Sequence, residues 1–333
     1  MQRLRGFAKG EICRLGRIEV TAEAIKEFAA AYDPQPQHLD ECAAGKMPSE
    51  GLVASGWQTC ALLMRQVERQ LESTSMCVEI PGIDEIRWLK PVRPGDLLET
   101  RITWRSRCFC SGCRDAGGWA IAIEVVNQAD VPVLRMNSSA LLARRGASLA
   151  EVQRSSIYCA ERLKRGSRVR RRPGGHLVRY FEEVELGDEI ALGSYDFTAG
   201  AIRSYARILD GAFGSRDRST DAVVVHPGVS GWHLVAAWMR RIVDHYHAEA
   251  DWLASRDRPV PLLGPAAGAR SISWCKPVRV GDRITFSSWA EHKVKIGASN
   301  EWGLLVAGAE GVNQNGELVV SLYPQFLLQK RPA

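Results

Sequence analysis

No uninterrupted apolar run in this 333-residue chain reaches membrane-spanning length, so a helical membrane anchor is not expected. The N-terminus, MQRLRGFAKGEICRLG, lacks the apolar core of a secretory leader. A disulfide framework is missing as well. The nine cysteines (Cys13, Cys42, Cys60, Cys77, Cys108, Cys110, Cys113, Cys159, Cys275) are odd in number and follow no scaffold spacing. Together these point to a reducing, cytoplasmic location. There is no nucleic-acid-binding motif, and the net charge of +6 is not spread over the chain. Residues 162–172, RLKRGSRVRRR, hold seven Lys or Arg and no acid; taking seven from +6 leaves the remainder at −1. Such a run reads first as a solvated linker and second as a clamp for a phosphorylated ligand or a weak polyanion contact, with no nucleic-acid partner expected. What is present is ordinary for a soluble globular protein: 45% hydrophobic and 25% charged residues, in a chain long enough for two cores.

The chain repeats itself. Gly10–Tyr32, GEICRLGRIEVTAEAIKEFAAAY, reads against Gly187–Leu209, GDEIALGSYDFTAGAIRSYARIL, with Asp33 falling on Asp210. Ser55-Gly56-Trp57 then matches Ser230-Gly231-Trp232, and Met64-Arg65 matches Met239-Arg240. Finally WLKPVRPGD (Trp88–Asp96) matches WCKPVRVGD (Trp274–Asp282). Three blocks recurring in one order indicate duplication. The expected division is a first unit over 1–146, a basic linker over 147–176 and a second unit over 177–333.

Within each unit the pattern predicts a short helix and loop, a long helix, then several strands. Residues 51–71 carry Leu52, Leu62, Leu63, Met64 and Val67 among small residues, so this helix is apolar on most sides and expected to be buried. Alternating, β-branched stretches follow at 83–89, 97–104, 119–127 and 133–143, with a turn at Arg93-Pro94-Gly95-Asp96. The second unit repeats them at 271–276, 283–292, 304–313 and 318–328, after a helix over 228–247. A long helix wrapped by an antiparallel sheet is an α+β arrangement.

The chemistry-bearing stretch is Phe28–His38, FAAAYDPQPQH. Ile25, Phe28, Ala29 and Tyr32 share a helix face that runs into Asp33. Pro34 ends that helix, and Pro36 predicts a stiff, extended loop up to His38. A carboxylate and an imidazole held on a rigid loop suit the activation of water or the movement of a proton near neutral pH.

These residues resemble the MaoC-like hydratase/dehydratase group of the hotdog superfold, the R-specific enoyl-CoA hydratases. The group's pattern is an aromatic-led helix, Asp-x-Asn-Pro-x-His, a glycine opening the central helix, and a Lys-Pro-Val-x-x-Gly-Asp strand entry. Here it stands as Asp33 to His38, Gly51, and Lys90-Pro91-Val92-Arg93-Pro94-Gly95-Asp96. The resemblance covers both halves and implies a double hotdog acting on an acyl-CoA thioester without a metal or cofactor. It implies Asp33 and His38 as the catalytic pair and the Gly51 backbone N–H as oxyanion donor. Gln35 replaces the usual Asn, Thr59 falls where a hydroxyl is common, and Ser55 and Gly56 belong to the same binding region. Glu50 departs from the pattern. The second unit keeps Asp210 but has Ser215 in place of His38, and its His226 aligns with Gly51, so one active site is expected per chain. Two hotdogs make the minimal pair, which fits a monomer or a homodimer.

Two other readings compete: a hotdog thioesterase, and a non-catalytic acyl-CoA-binding protein. Cys108-x-Cys110-x-x-Cys113 has metal-like spacing but offers three ligands where structural zinc uses four. Trp57, Trp88, Trp232 and Trp274 recur at matching positions, as packing residues do. His245 and His247, two apart, do not share a helix face.

Overall fold

A computed structural model describes residues 7–45, 51–74, 78–108, 116–143, 169–211, 229–297 and 301–332. The first half opens with a strand, β1 (Ile12–Val20), followed by α1 (Ala22–Tyr32). Thr21 caps α1 by accepting the Ala24 N–H at 3.1 Å, and Ile25, Phe28, Ala29 and Tyr32 are its buried face. Two short turns, α2 (Pro36–Leu39) and α3 (Glu41–Ala44), precede the long helix α4 (Gly56–Thr74). The strands β2 (Val78–Glu79), β3 (Gly82–Trp88), β4 (Asp96–Cys108), β5 (Ala116–Val126) and β6 (Pro132–Ala143) complete this half.

The second half runs in the same order. After the short β7 (Arg172–Pro173) come β8 (Asp188–Asp196), α5 (Ala199–Gly211), the 24-residue α6 (Gly231–Ala254), β9 (Leu263–Trp274), β10 (Arg283–Lys295), β11 (Trp302–Val312) and β12 (Leu318–Gln329). The strands form one sheet in the order β1-β4-β5-β6-β3-β9-β12-β11-β10-β8-β7, with β2 on β6. β3 pairs antiparallel with β9, joining the halves edge to edge. The sheet wraps α4 and α6, whose first turns are buried nearly all round, and Trp57 of α4 meets Trp238 of α6 edge-on at 6.0 Å. One hydrophobic core runs through both halves.

Three sequence expectations change. β1 and β8 lie ahead of the first helices, where no strand was expected. Each is interrupted by a register shift, which in β1 puts Leu15 and Ile18 three apart on the inner side and breaks the period of two. The loop from Asp33 to His38 is not extended throughout: Pro36 begins a helical turn, because a proline at the first helical position loses no hydrogen bond. The long helix starts at Gly56 and not near Gly51. Val53 N–H donates to the Gln37 carbonyl and Ala54 N–H to that of Val92, which keeps 52–55 out of the helix.

Part of the expected linker is also structured. Arg171 pairs with Glu310 at 2.8 Å and stacks on Trp289, and Arg172 meets Glu185 at 3.0 Å. These two arginines are already partnered within the fold. The rest of that segment, from 144 to 168, lies outside the described residues, as do Cys110 and Cys113. No described helix is long and apolar enough to cross a membrane.

The halves also meet through a buried polar cluster. His233 of α6 is 1% exposed, with Nε2 3.2 Å from the Tyr32 hydroxyl and 3.4 Å from that of Tyr195, and its ring stacks on Tyr205 at 4.3 Å. Burial pushes this imidazole down to about 3 from an ordinary 6.5. The unfolded chain therefore takes up a proton that the folded chain refuses. Stability from this group is complete above pH 6.5 and is lost as pH falls toward 3, at up to about 1.4 kcal/mol per pH unit. Glu249 works in a lower window. Burial pushes its carboxyl up, but the His245 hydrogen bond and the Val178 and Leu177 N–H groups outweigh this and hold it at about 2. Between pH 7 and 5, His233→Gln is thus expected to lose less stability than the wild type, read from denaturant melts at both pH values.

Candidate active site

Asp33 caps the C-terminus of α1, its N–H donating to the Ala29 carbonyl at 2.9 Å. Its carboxylate is 2% exposed and held from two sides. Gln35 Nε2 donates to Oδ1 at 2.8 Å, and the Ser55 hydroxyl donates to Oδ2 at 2.6 Å. Gln37 steadies Gln35 in turn, donating to its Oε1 at 3.1 Å. Ser55 has a second task, because its Oγ accepts the Trp57 N–H at 3.2 Å and so caps α4.

His38 is 7% exposed. Its Nδ1 lies 2.8 Å from the Val53 carbonyl, which can only accept, so Nδ1 carries the proton. In the neutral ring Nε2 is then a bare acceptor, 3.6 Å from Asp33 Oδ2. Two acceptors at that separation do not bond to each other. One water placed beside them can donate a proton to each.

A cavity of about 380 Å³ opens on this pair. Gln35, Ser55, Gly56 and Thr59 line it, the Thr59 hydroxyl lying 3.4 Å from the Ser55 carbonyl. The structure therefore brings Asp33, His38, Gln35, Ser55, Gly56 and Thr59 to one place. Gly51 is not among the lining residues, and its N–H donates to the Ala44 carbonyl at 3.1 Å. It is not free to meet a substrate oxygen, and its φ of +127° marks it as a turn glycine. The first N–H of α4 belongs to Gly56, which lines the cavity and has no acceptor among the described residues. The sequence expectation placed the helix opening, and with it the donor, at Gly51. The clue was in the repeat: Ser-Gly-Trp recurs as a block at the start of both long helices.

Trp88 closes over the helix start, its Nε1–H donating to the Gly56 carbonyl at 3.1 Å. The far wall comes from the other half: Met239 of α6, Leu263, Pro265 and Ala266 of β9, and Phe326 of β12. Met239 stood out only as part of the repeat, and no pattern in the sequence singled out the other four. Glu50 lies outside the described residues.

Among its described residues, the second half does not repeat the arrangement. Asp210 sits inside α5, where Arg65 of α4 grips it with Nε at 2.8 Å and Nη2 at 3.3 Å, and Arg69 lies 4.0 Å away. Ser215 and His226 fall outside the described residues. His245 shares its helix face with Glu249, at 3.1 Å, and not with His247. The four recurring tryptophans pack in pairs, Trp57 on Trp88 at 4.9 Å and Trp232 on Trp274 at 5.5 Å.

A helix-wrapping antiparallel sheet with a polar pair at the long helix's N-terminus is the hotdog fold. Residues 10–109 match the MaoC like domain. The MaoC-like dehydratase from Rhodospirillum rubrum is 32% identical over 43% of this chain and 98% of its own (TM-score 0.39). Structures that match over nearly the whole of both chains include two more. A putative MaoC domain protein dehydratase from Chloroflexus aurantiacus J-10-fl has a TM-score of 0.67 at 13% identity, over 98% of this chain and 97% of its own. A conserved hypothetical protein from Mycobacterium tuberculosis, described as a double hotdog fold, has a TM-score of 0.60 at 16% identity, over 97% of both chains. The chain belongs to the MaoC-like family.

Proposed function

We propose that the protein is an acyl-CoA hydratase/dehydratase that adds water to, or removes it from, the 2,3 bond of an enoyl or (3R)-hydroxyacyl thioester. One observation carries this reading: Nε2 of His38 and Oδ2 of Asp33 lie 3.6 Å apart on residues that line a single cavity, where a neutral imidazole and a carboxylate offer a pair of acceptors. In the hydration direction the water donates to both, leaving its own lone pair free to attack C3. As the C3–O bond forms, one water proton passes to the Asp33–His38 pair, and the C2–C3 electrons move onto the thioester as an enolate. The pair then returns a proton to C2, so the elements of one water are added and the thioester stays intact. No electrons leave the substrate, so the reaction calls for no redox cofactor.

The enolate oxygen needs a donor, and the Gly56 N–H takes that role in place of Gly51. It stands at the positive end of α4, where a developing anion is favoured. Gln35 and Ser55 hold the Asp33 carboxylate in place. The first half, 1–146, supplies this chemistry; the second half, 177–333, supplies the wall formed by Met239, Leu263, Ala266 and Phe326 against the acyl chain.

The test is a panel of short, long and branched enoyl-CoAs followed at the enoyl-thioester absorbance band, with free thiol measured in parallel. Loss of the band without thiol release is the expected outcome. Thiol release would assign a thioesterase, and binding without turnover would assign a non-catalytic acyl-CoA-binding protein.

A further inference from the structure

The same arginine of the repeat does two different jobs. In the first half Arg65 of α4 reaches across to the second half and grips the Asp210 carboxylate, the counterpart of Asp33. In the second half Arg240, at the matching position of α6, reaches back to the first half but leaves Asp33 alone. Its Nη1 donates to the carbonyls of Ala30 at 2.8 Å and Ala31 at 3.3 Å. These belong to the last turn of α1, whose final carbonyls have no partner within the helix, and α1 carries no basic residue of its own in that turn. Two residues further on is Asp33.

We infer that Arg240 is a positioning residue for Asp33: the second half, whose described residues hold no such acid–base pair, fixes the helix end from which the first half's carboxylate projects. The inference rests on the reading of Asp33 as catalytic. Three features support it. Arg240 is itself held, since its Nε donates to Asp244 Oδ1 at 2.8 Å. A cation at the C-terminus of a helix offsets the negative end of the dipole, which here lies beside the Asp33 carboxylate. A second contact grips the same turn, because Tyr32, between Ala31 and Asp33, is 3.2 Å from His233 of the same α6. Arg240 and His233 thus hold consecutive residues of one turn from one helix. The Arg65–Asp210 pair shows the alternative use of this arginine, in which the acid is neutralised.

The experiment uses the full-length chain as Arg240→Met, Arg240→Lys and Arg65→Met beside wild type, with two readouts. Hydrogen exchange by mass spectrometry follows residues 29–38, and steady-state kinetics use crotonyl-CoA as probe. Arg240→Met is expected to speed exchange in 29–38 and to lower kcat about tenfold with KM within about twofold, since misplacement by an ångström costs about a hundredfold. Arg240→Lys keeps the charge and is expected to recover part of both. It also carries the test if Arg240→Met does not fold: exchange in 29–38 faster than wild type and a kcat about two- to fivefold lower are then expected, and wild-type values of both would overturn the inference. Arg65→Met breaks a contact of the same kind at the other site, and is expected to leave 29–38 protected and kcat within about twofold. Unchanged exchange and kcat in Arg240→Met would overturn the inference, as would equal opening of 29–38 in Arg65→Met. A wild type that hydrates no enoyl thioester, with the exchange pattern still specific to Arg240, would sink the reaction and leave the positioning role standing.

Discussion

Asp33→Asn is expected to lower kcat by roughly 100- to 10,000-fold, the range that a positioned acid–base group contributes. The amide has nearly the shape of the carboxylate, so the fold should survive and the loss should be chemical. Two donors already point at this side chain, Gln35 Nε2 on one oxygen and the Ser55 hydroxyl on the other. An asparagine can satisfy only one of them as an acceptor and turns an NH₂ group toward the other. It also removes the negative charge that draws a proton from the water. His38→Ala is expected to reach a similar loss, since it takes away the second acceptor and leaves the Val53 carbonyl without its partner at 2.8 Å. Initial rates at the enoyl band, with circular dichroism to confirm folding, check both. Residual activity within tenfold of wild type in either variant would move the chemistry away from this pair.

Gly56→Ala is expected to act on both stability and rate. A Cβ at this position would lie 2.5 Å from the Trp88 ring, and that ring is tied down by its Nε1–H bond to the Gly56 carbonyl. Neither side can yield without losing the contact, so overpacking of about 1–3 kcal/mol is expected. The helix end proposed to carry the oxyanion donor is what shifts, and loss of such a donor costs roughly 100- to 1,000-fold in kcat. The repeat supplies a matched control. A Cβ on Gly231 would meet Trp274 at 2.3 Å in the same manner, but in the half whose Asp210 is paired with Arg65. Gly231→Ala should therefore lower the melting temperature comparably and leave kcat near wild type below the transition. Equal losses of kcat in the two variants would mean that Gly56 matters only for folding.

Much of this was legible in the chain because it is encoded locally. The duplication, the long apolar helices, the four strands after each and the Asp–His spacing are patterns of neighbouring residues. Boundaries were less legible where tertiary hydrogen bonds override the pattern. Residues 52–55 look helical in composition, yet Val53 and Ala54 spend their N–H groups on the Gln37 and Val92 carbonyls, moving the helix start to Gly56. Pro36 reads as a helix breaker and proves to be a first helical residue. β1 and β8 escaped because register shifts spoil their alternation. The contacts between halves, Arg65 on Asp210, Arg240 on α1 and Met239 and Phe326 across the cavity, join residues some 100 to 300 positions apart. They depend on β3 pairing with β9, which no local pattern announces.

The central claim is that a water held between Asp33 and His38 is added across a carbon–carbon double bond. Its most direct test is a single-turnover incubation of the full-length protein with an enoyl-CoA in ¹⁸O-labelled water, read by mass spectrometry of the intact CoA products. The account predicts 3-hydroxyacyl-CoA carrying ¹⁸O on C3, with the thioester unbroken and label fixed at least about a hundredfold more slowly by Asp33→Asn. Label in a free carboxylate, with release of CoA thiol and the double bond retained, would contradict it.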